Sequence, residues 1–259
     1  MAVAGTRLAK EERHRRIITE LRTNPTVRIS TLADEYSVST ETVRRDIDEL
    51  SRKGLVNRTY GGAASTALGW EPAVNQRGGT MVPERDRIAR HAVASIQAGD
   101  VLMVDGGSTT TRFARRLAIE GTPVTVITNS IGVVTALAAC PDIRVIVCPG
   151  EFDGTEDAVY GPETGDFLGR FHANVAVLSA GGITPKGLTD VDSRASWVKR
   201  WMMQRAEQTI AMMDHSKFDL AQLEVVQPLD GLACLICDRK PIGALAKALK
   251  EAAVQVEVA

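Results

Sequence analysis

Over the first sixty positions the apolar residues fall at helical spacing in three short runs. Ile17, Ile18 and Leu21 share one side of a helix predicted over Glu11 to Leu21, which Asn24-Pro25 stops. Ile29, Leu32, Ala33 and Tyr36 follow the i, i+3, i+4, i+7 spacing of a single buried face, so a second helix is predicted from Ser30. After the turn Ser37-Val38-Ser39, a third helix runs from about Thr40 to Lys53, with Val43, Ile47 and Leu50 facing inward and Gly54 as its stop. Leu55 to Tyr60 reads as one strand of a wing, and Gly61-Gly62 ends the unit.

The pattern then changes. Residues 63–83 are rich in Gly, Ala, Ser and Thr without sustained periodicity, which predicts a linker or extended arm between domains at 1–62 and 84–259. Beyond it, short apolar runs alternate with helical stretches: Val101 to Val104, Val124 to Ile127, Val145 to Val147, Val175 to Leu178, Ile210 to Met213 and Leu232 to Ile236. Such alternation predicts an open, mainly parallel α/β sheet covered by helices.

Composition alters this picture in two places. At 259 residues, 44% hydrophobic and 24% charged, the chain has the make-up of an ordinary globular protein long enough for two cores. The net charge of -1 hides a division: residues 1–62 hold 12 of the 31 basic and 9 of the 32 acidic residues, leaving +3 there and -4 on the rest. A basic head on an acidic body suits a nucleic-acid-binding unit joined to a sensing one. Arg7, Lys10, Arg13, Arg15, Arg16 and Arg22 interrupt the N-terminal stretch, so no signal peptide or membrane span is expected, and the protein is expected in the cytoplasm. Cys234 and Cys237 lie three apart in an expected strand and so point to opposite faces; no shared metal, and no cofactor, is expected.

In the head, the third helix turns a polar surface outward. Ser39, Thr40 and Thr42 near its start are short hydroxyl side chains suited to phosphates or base edges, and Arg44, Arg45 and Arg52 follow. Arg44 or Arg45 suits the bidentate contact to guanine, and Arg58 and Tyr60 on the wing suit the flanking backbone. The interleaved Glu41, Asp46, Asp48 and Glu49 would suit a solvated surface helix if it stood alone, but the ordered combination of turn, hydroxyl-rich helix start, paired arginines, glycine stop and basic wing favours DNA binding.

The run Val38-Ser39-Thr40-Glu41-Thr42-Val43-Arg44-Arg45-Asp46-Ile47, followed by Leu50, Gly54-Leu55-Val56, Arg58 and Gly61-Gly62-Ala63, resembles the head of the DeoR-type repressors in order and spacing. The resemblance implies a winged helix-turn-helix with Arg44 and Arg45 in the recognition helix, braced by Asp46.

In the second domain, Asp105-Gly106-Gly107-Ser108-Thr109-Thr110 follows the first strand and leads into a helix. Glycines admit close backbone approach, hydroxyls donate hydrogen bonds, and free N–H groups at a helix start favour an anion. The loop reads as a phosphate cradle. It lacks the lysine of a Walker loop and the G-x-G-x-x-G spacing, which makes nucleotide enzymes poor fits; as a motif alone it suits a structural turn as well. Asn129 in Thr128-Asn129-Ser130, and Gly181-Gly182 after Ser179-Ala180, end other strands, where ligands bind in open α/β sheets. Lys217, in Asp214-His215-Ser216-Lys217-Phe218, brings a cation to the same rim or is simply solvated.

These segments are similar, in this order, to the C-terminal domain of the DeoR-type repressors, itself related to ribose-5-phosphate isomerase; the resemblance spans Lys10 to Pro241 and takes in Gly187-Leu188-Thr189 and Val198-Lys199-Arg200. It implies phosphate on the 105–110 loop and a sugar among Asn129, Gly181-Gly182 and Lys217. Where that family has consecutive glutamates, this chain has Arg194-Ala195, so the effector is expected to be more acidic than a simple sugar phosphate, or absent; Asp190 and Asp192 stand near enough to supply a substitute carboxylate. The function implied is an oligomeric (dimeric or tetrameric) repressor of carbohydrate genes. It binds double-stranded operator DNA and releases it, or grips it differently, when a phosphorylated sugar or related metabolite binds. The rival is an isomerase-like enzyme using Asp105, Asp190 or Asp192 as base, and a third reading is a scaffold without ligand.

Overall fold

The computed structural model describes residues 8–24, 26–52, 55–59, 61–65 and 71–259. The chain divides into two compact units, Met1–Pro72 and Ala73–Ala259.

The first unit begins with α1 (Lys10–Thr23), β1 (Thr26–Arg28), α2 (Ile29–Glu35) and α3 (Thr40–Arg52), followed by β2 (Val56–Thr59) and β3 (Gly62–Ser65). Ile17, Leu21, Leu32, Tyr36, Val43, Ile47 and Leu50 meet in one core, as the helical spacing requires. The wing is an antiparallel sheet in the order β1-β3-β2. Gly62 therefore opens a strand instead of ending the unit, and the expected linker starts too early. A Cβ on Gly62 would lie 1.9 Å from the Val27 carbonyl oxygen, so only glycine lets β3 approach β1. Gly54, Tyr60 and the side chain of Arg52 lie outside the described residues, as do residues 66–70 of the expected linker.

The second unit starts with α4 (Val74–Arg77), which lies within the segment read as an arm, and α5 (Val82–Val93), which begins at that segment's end. Then come β4 (Val101–Val104), α6 (Ser108–Glu120), β5 (Val124–Thr128), α7 (Ile131–Leu137), β6 (Ile143–Val147), the hairpin β7 (Glu151–Asp153) and β8 (Ala158–Tyr160), α8 (Pro162–Leu168) and β9 (Ala173–Leu178). After β10 (Gly182–Thr184), β11 (Gly187–Asp190), α9 (Ser193–Arg205) and β12 (Ala206–Met213), the chain ends with β13 (Glu224–Gln227), β14 (Cys234–Cys237), α10 (Gly243–Glu251) and β15 (Gln255–Val258).

Seven strands form one all-parallel sheet in the order β15-β14-β12-β9-β4-β5-β6. Its central strands are buried on both faces, with Leu102, Met103, Val126, Ile127, Ala176, Val177 and Leu178 all fully enclosed, which explains the continuous apolar runs. From β4 the later strands proceed in opposite directions, through β5 on one side and β9 on the other. The crevice between the carboxyl ends of β4 and β9 is thus the topological switch point, where such sheets hold ligands. Among the described residues no helix is long and apolar enough to cross a membrane.

Candidate functional site

The switch point is built on a buried ion cluster. Asp105, at the end of β4, accepts hydrogen bonds from the Ser179 amide, at the end of β9, at 3.2 and 3.3 Å, so one carboxylate ties the two sides of the crevice. Lys199 Nζ, from α9, lies 3.1 Å from Asp105 and 3.1 Å from Asp190, with side chains only 5%, 1% and 7% exposed. Two carboxylates thus share one ammonium out of water. Burial raises the Asp105 carboxyl to about 6, although Lys199 and the Ser179 amide oppose the shift. Burial disfavours the Lys199 cation, yet Asp190 and Asp105 outweigh it and raise its pKa.

Over this base lies the glycine loop. Gly107, the N-cap of α6, has no side chain with which to cap the helix, and the first amides of α6 have no partner within it. A Cβ on Gly106 would meet Ala158 at 3.2 Å, Ser130 at 3.8 Å and the Tyr160 hydroxyl at 4.0 Å, which marks a concave wall formed by β8 and the end of β5. A Cβ on Gly107 would strike Ser179 Oγ at 2.6 Å. Tyr160 is buried, which raises its phenol pKa, and its ring carries the Arg194 guanidinium at 5.0 Å.

Several of the expected effector residues serve the frame. Ser108 Oγ takes a hydrogen bond from Arg85 Nη1 at 2.8 Å. Thr109 and Thr110 are buried, and the Thr110 hydroxyl donates to the Gly107 carbonyl at 3.1 Å, so Thr110 shapes the loop. Asn129 donates from Nδ2 to the Val159 carbonyl at 3.0 Å, while its Oδ1 is buried with no hydrogen-bond partner among the described residues. Gly181 packs against Asp190 and Gln222, and a Cβ on Gly182 would fall 1.9 Å from the Leu220 carbonyl oxygen. These two glycines allow backbone to pass close to backbone. Lys217 is partly buried in a short 3-10 turn, His215–Lys217, and its charge helps keep Asp214 ionised.

Arg194 does not offer a free charge. It pairs with Asp192 Oδ2 at 2.6 Å and Asp153 Oδ2 at 2.7 Å. Its hydrogen bond holds the Asp153 carboxyl below the usual range, and it outweighs burial to do the same for Asp192. Asp190, expected as a substitute carboxylate, is buried on Lys199. His215 is clasped by Asp238, with its amide and its Nδ1 each 2.6 Å from one of the two carboxylate oxygens.

Sequence reasoning passed over Arg85 and gave Lys199 no role. Arg85 is 3% exposed and hydrogen-bonds Asp214 Oδ2 at 2.8 Å. A signal was present in both cases. Arg85 shares a stripe with Ile88, Ala89 and Ala92, and Lys199 shares one with Ala195 and Met202, so each is a cation at a core-facing helical position.

In the head, Ser39 Oγ accepts from the Thr42 amide at 3.2 Å and bonds Thr42 Oγ1 at 2.8 Å, capping the start of α3. Ser39, Thr40, Arg44 and Arg45 are exposed. Glu41 lies 2.7 Å from Arg44 and 3.5 Å from Arg45, and Arg58 pairs with Asp48 at 3.0 Å. Asp46 is buried under α3, where Arg13 donates to it from Nε at 2.6 Å and Nη2 at 3.1 Å and His14 Nε2 lies at 3.2 Å. Asp46 is therefore a brace between α1 and α3.

Comparison with known proteins agrees with this architecture. Residues 13–67 match the family model of the DeoR-like helix-turn-helix domain, and residues 80–239 match that of the DeoR C terminal sensor domain. The glycerol-3-phosphate regulon repressor of Escherichia coli K12 is 27% identical over 97% of this chain and 100% of its own length. The transcriptional regulator IolR of Bacillus subtilis 168 is 30% identical over 82% of this chain and 84% of its own. The L-fucose operon activator of Haemophilus influenzae is 31% identical over 80% of this chain and 84% of its own. Ribose 5 phosphate isomerase A from Neisseria gonorrhoeae aligns over 52% of each chain at 18% identity and a TM-score of 0.40, too distant to bear on chemistry. With a helix-turn-helix model on its first unit and a sensor-domain model across most of its second, the chain belongs to the DeoR family of transcriptional regulators.

Proposed function

We propose that this regulator is a cytoplasmic repressor, acting as a dimer or tetramer, that reads operator DNA with α3 and is controlled by a phosphorylated sugar or polyol at the switch point. Ser39, Thr40, Thr42, Arg44 and Arg45 enter the major groove, while Arg58 and Tyr60 meet the flanking phosphates. The surface ion pairs of Arg44 and Arg45 with Glu41 are exposed, so exchanging them for DNA contacts costs little.

The observation that carries the effector reading is the uncapped start of α6 at the switch point, beside the buried cation Arg85. The amides at the start of α6 suit a phosphate. The buried Asn129 Oδ1 is an acceptor suited to a hydroxyl. Around Arg194, Asp153 and Asp192 outnumber the cation, which favours hydroxyl donors over a second anion and supports a simple phosphorylated sugar or polyol. The name of the Escherichia coli relative, a glycerol-3-phosphate regulon repressor, points the same way. Of the bases considered for an isomerase, Asp105 and Asp190 are committed to Lys199 and Asp192 to Arg194, which weighs against catalysis.

A thermal-shift screen against phosphorylated sugars, polyols and acidic sugars tests the reading, since binding to the folded state raises its apparent stability. Stabilisation by a phosphorylated ligand, lost in Gly106→Val, is expected. No response to any phosphorylated compound removes the effector assignment.

A further inference from the structure

The segment that begins the second unit is tied to the candidate anion loop through one side chain. Arg85 Nη1 donates to Ser108 Oγ at 2.8 Å and to the Arg77 carbonyl at 2.7 Å, while Nε holds Asp214. Arg77 ends α4, and its own guanidinium grips Glu156, in the turn between β7 and β8, at 2.9 and 2.7 Å. The Val74 amide donates to the Thr155 carbonyl at 2.9 Å, and Arg112 Nη2 to the Gly78 carbonyl at 2.7 Å. Of the four residues of α4 only Arg77 is buried, and a single helical turn has little stability of its own. Directed polar bonds, not an apolar face, hold this segment in place.

We propose that Arg85 reports occupancy of the anion loop to α4, the first element after the DNA-binding head in the chain. The proposal rests on the anion reading above. A phosphate at the start of α6 is a charged acceptor and competes for the guanidinium with the neutral Ser108 hydroxyl and Arg77 carbonyl. Because one nitrogen, Nη1, serves both, drawing it toward the loop weakens its hold on α4. Lysine at this position keeps the charge opposite Asp214 but has no planar fork with which to hold separate acceptors. Arg85 is thus a positioning residue for the response and not only a counter-ion.

Hydrogen exchange of the full chain, with and without inorganic phosphate at matched ionic strength, tests the relay. In the wild type phosphate is expected to slow exchange at Ser108 to Thr111 and to change it at Gln76 to Thr80, whose amides bond carbonyls within that turn. In Arg85→Lys, with phosphate raised until Ser108 to Thr111 reach the protection seen in the wild type, the response at Gln76 to Thr80 is expected to be lost. Protection confined to the loop in the wild type, or an unchanged response in Arg85→Lys, overturns the relay and leaves the anion site standing. Absence of protection in both segments overturns the anion reading, and the relay with it.

Discussion

Lys199 and Asp105 form an ion pair of 3.1 Å in which both side chains are at most 5% exposed. Since Asp190 sits at the same distance from the ammonium, the cluster carries two carboxylates against one cation beneath the candidate ligand crevice. Lys199→Met strands both carboxylates without a counter-charge. The expected cost is about 3–5 kcal/mol, read as an earlier urea transition of the second unit with that of the head unchanged.

The same imbalance gives the second unit a pH dependence of definite sign. The Asp105 carboxyl is raised from 3.8 to about 6 in the folded state. Between these values the folded protein holds more protons than the unfolded one, so stability falls as pH rises through the window, by at most about 1.4 kcal/mol per pH unit. Asp214 acts in the opposite sense: burial opposes its ionisation, but Arg85 and Ser216 hold its pKa below 3.8, so its contribution is present above that value and lost below it. Urea unfolding at several pH values is expected to show the first slope in the wild type and to lose it in Asp105→Asn.

Two glycines read alike in the sequence are expected to respond differently to alanine. In Gly182→Ala the new methyl falls 1.9 Å from the Leu220 carbonyl oxygen, and the backbone must move; a loss of about 3 kcal/mol or more is expected from calorimetry. In Gly106→Ala the methyl meets Ala158 at 3.2 Å, so the fold is expected to survive with a melting temperature near that of the wild type. Ligand-induced stabilisation is expected to be the property that Gly106→Ala loses.

In the head, bracing and reading are separable. Asp46→Ala leaves the buried Arg13 guanidinium unpaired and is expected to lower the stability of the first unit by about 3–5 kcal/mol. Arg45→Ala removes a side chain 79% exposed and is expected to leave stability unchanged. Its affinity for a duplex selected from a random pool is expected to fall, with a salt slope shallower by about 1 if the contact is to phosphate. An unchanged anisotropy titration would remove Arg45 from the interface.

By itself the sequence determined the helix-turn-helix and the parallel sheet. Ile29, Leu32, Ala33 and Tyr36 at helical spacing, and runs such as Val101 to Val104, state burial directly, because one face of a helix and both faces of a central strand must leave water. Short elements were not legible in this way: β1 and β3 have few residues to carry a period, and α4 is held by polar bonds that no periodicity records. Only the tertiary structure decided what the chemical residues do. Arg85 meets Ser108, 23 positions on, and Asp214, 129 positions on; Lys199 meets Asp105 from another helix; Arg194 is neutralised by Asp153 from a hairpin. Ion pairs and hydrogen bonds act over about 3 Å in space and place no constraint on separation along the chain. A charged residue in the sequence therefore shows that a partner is needed when it is buried, and the fold alone supplies which one.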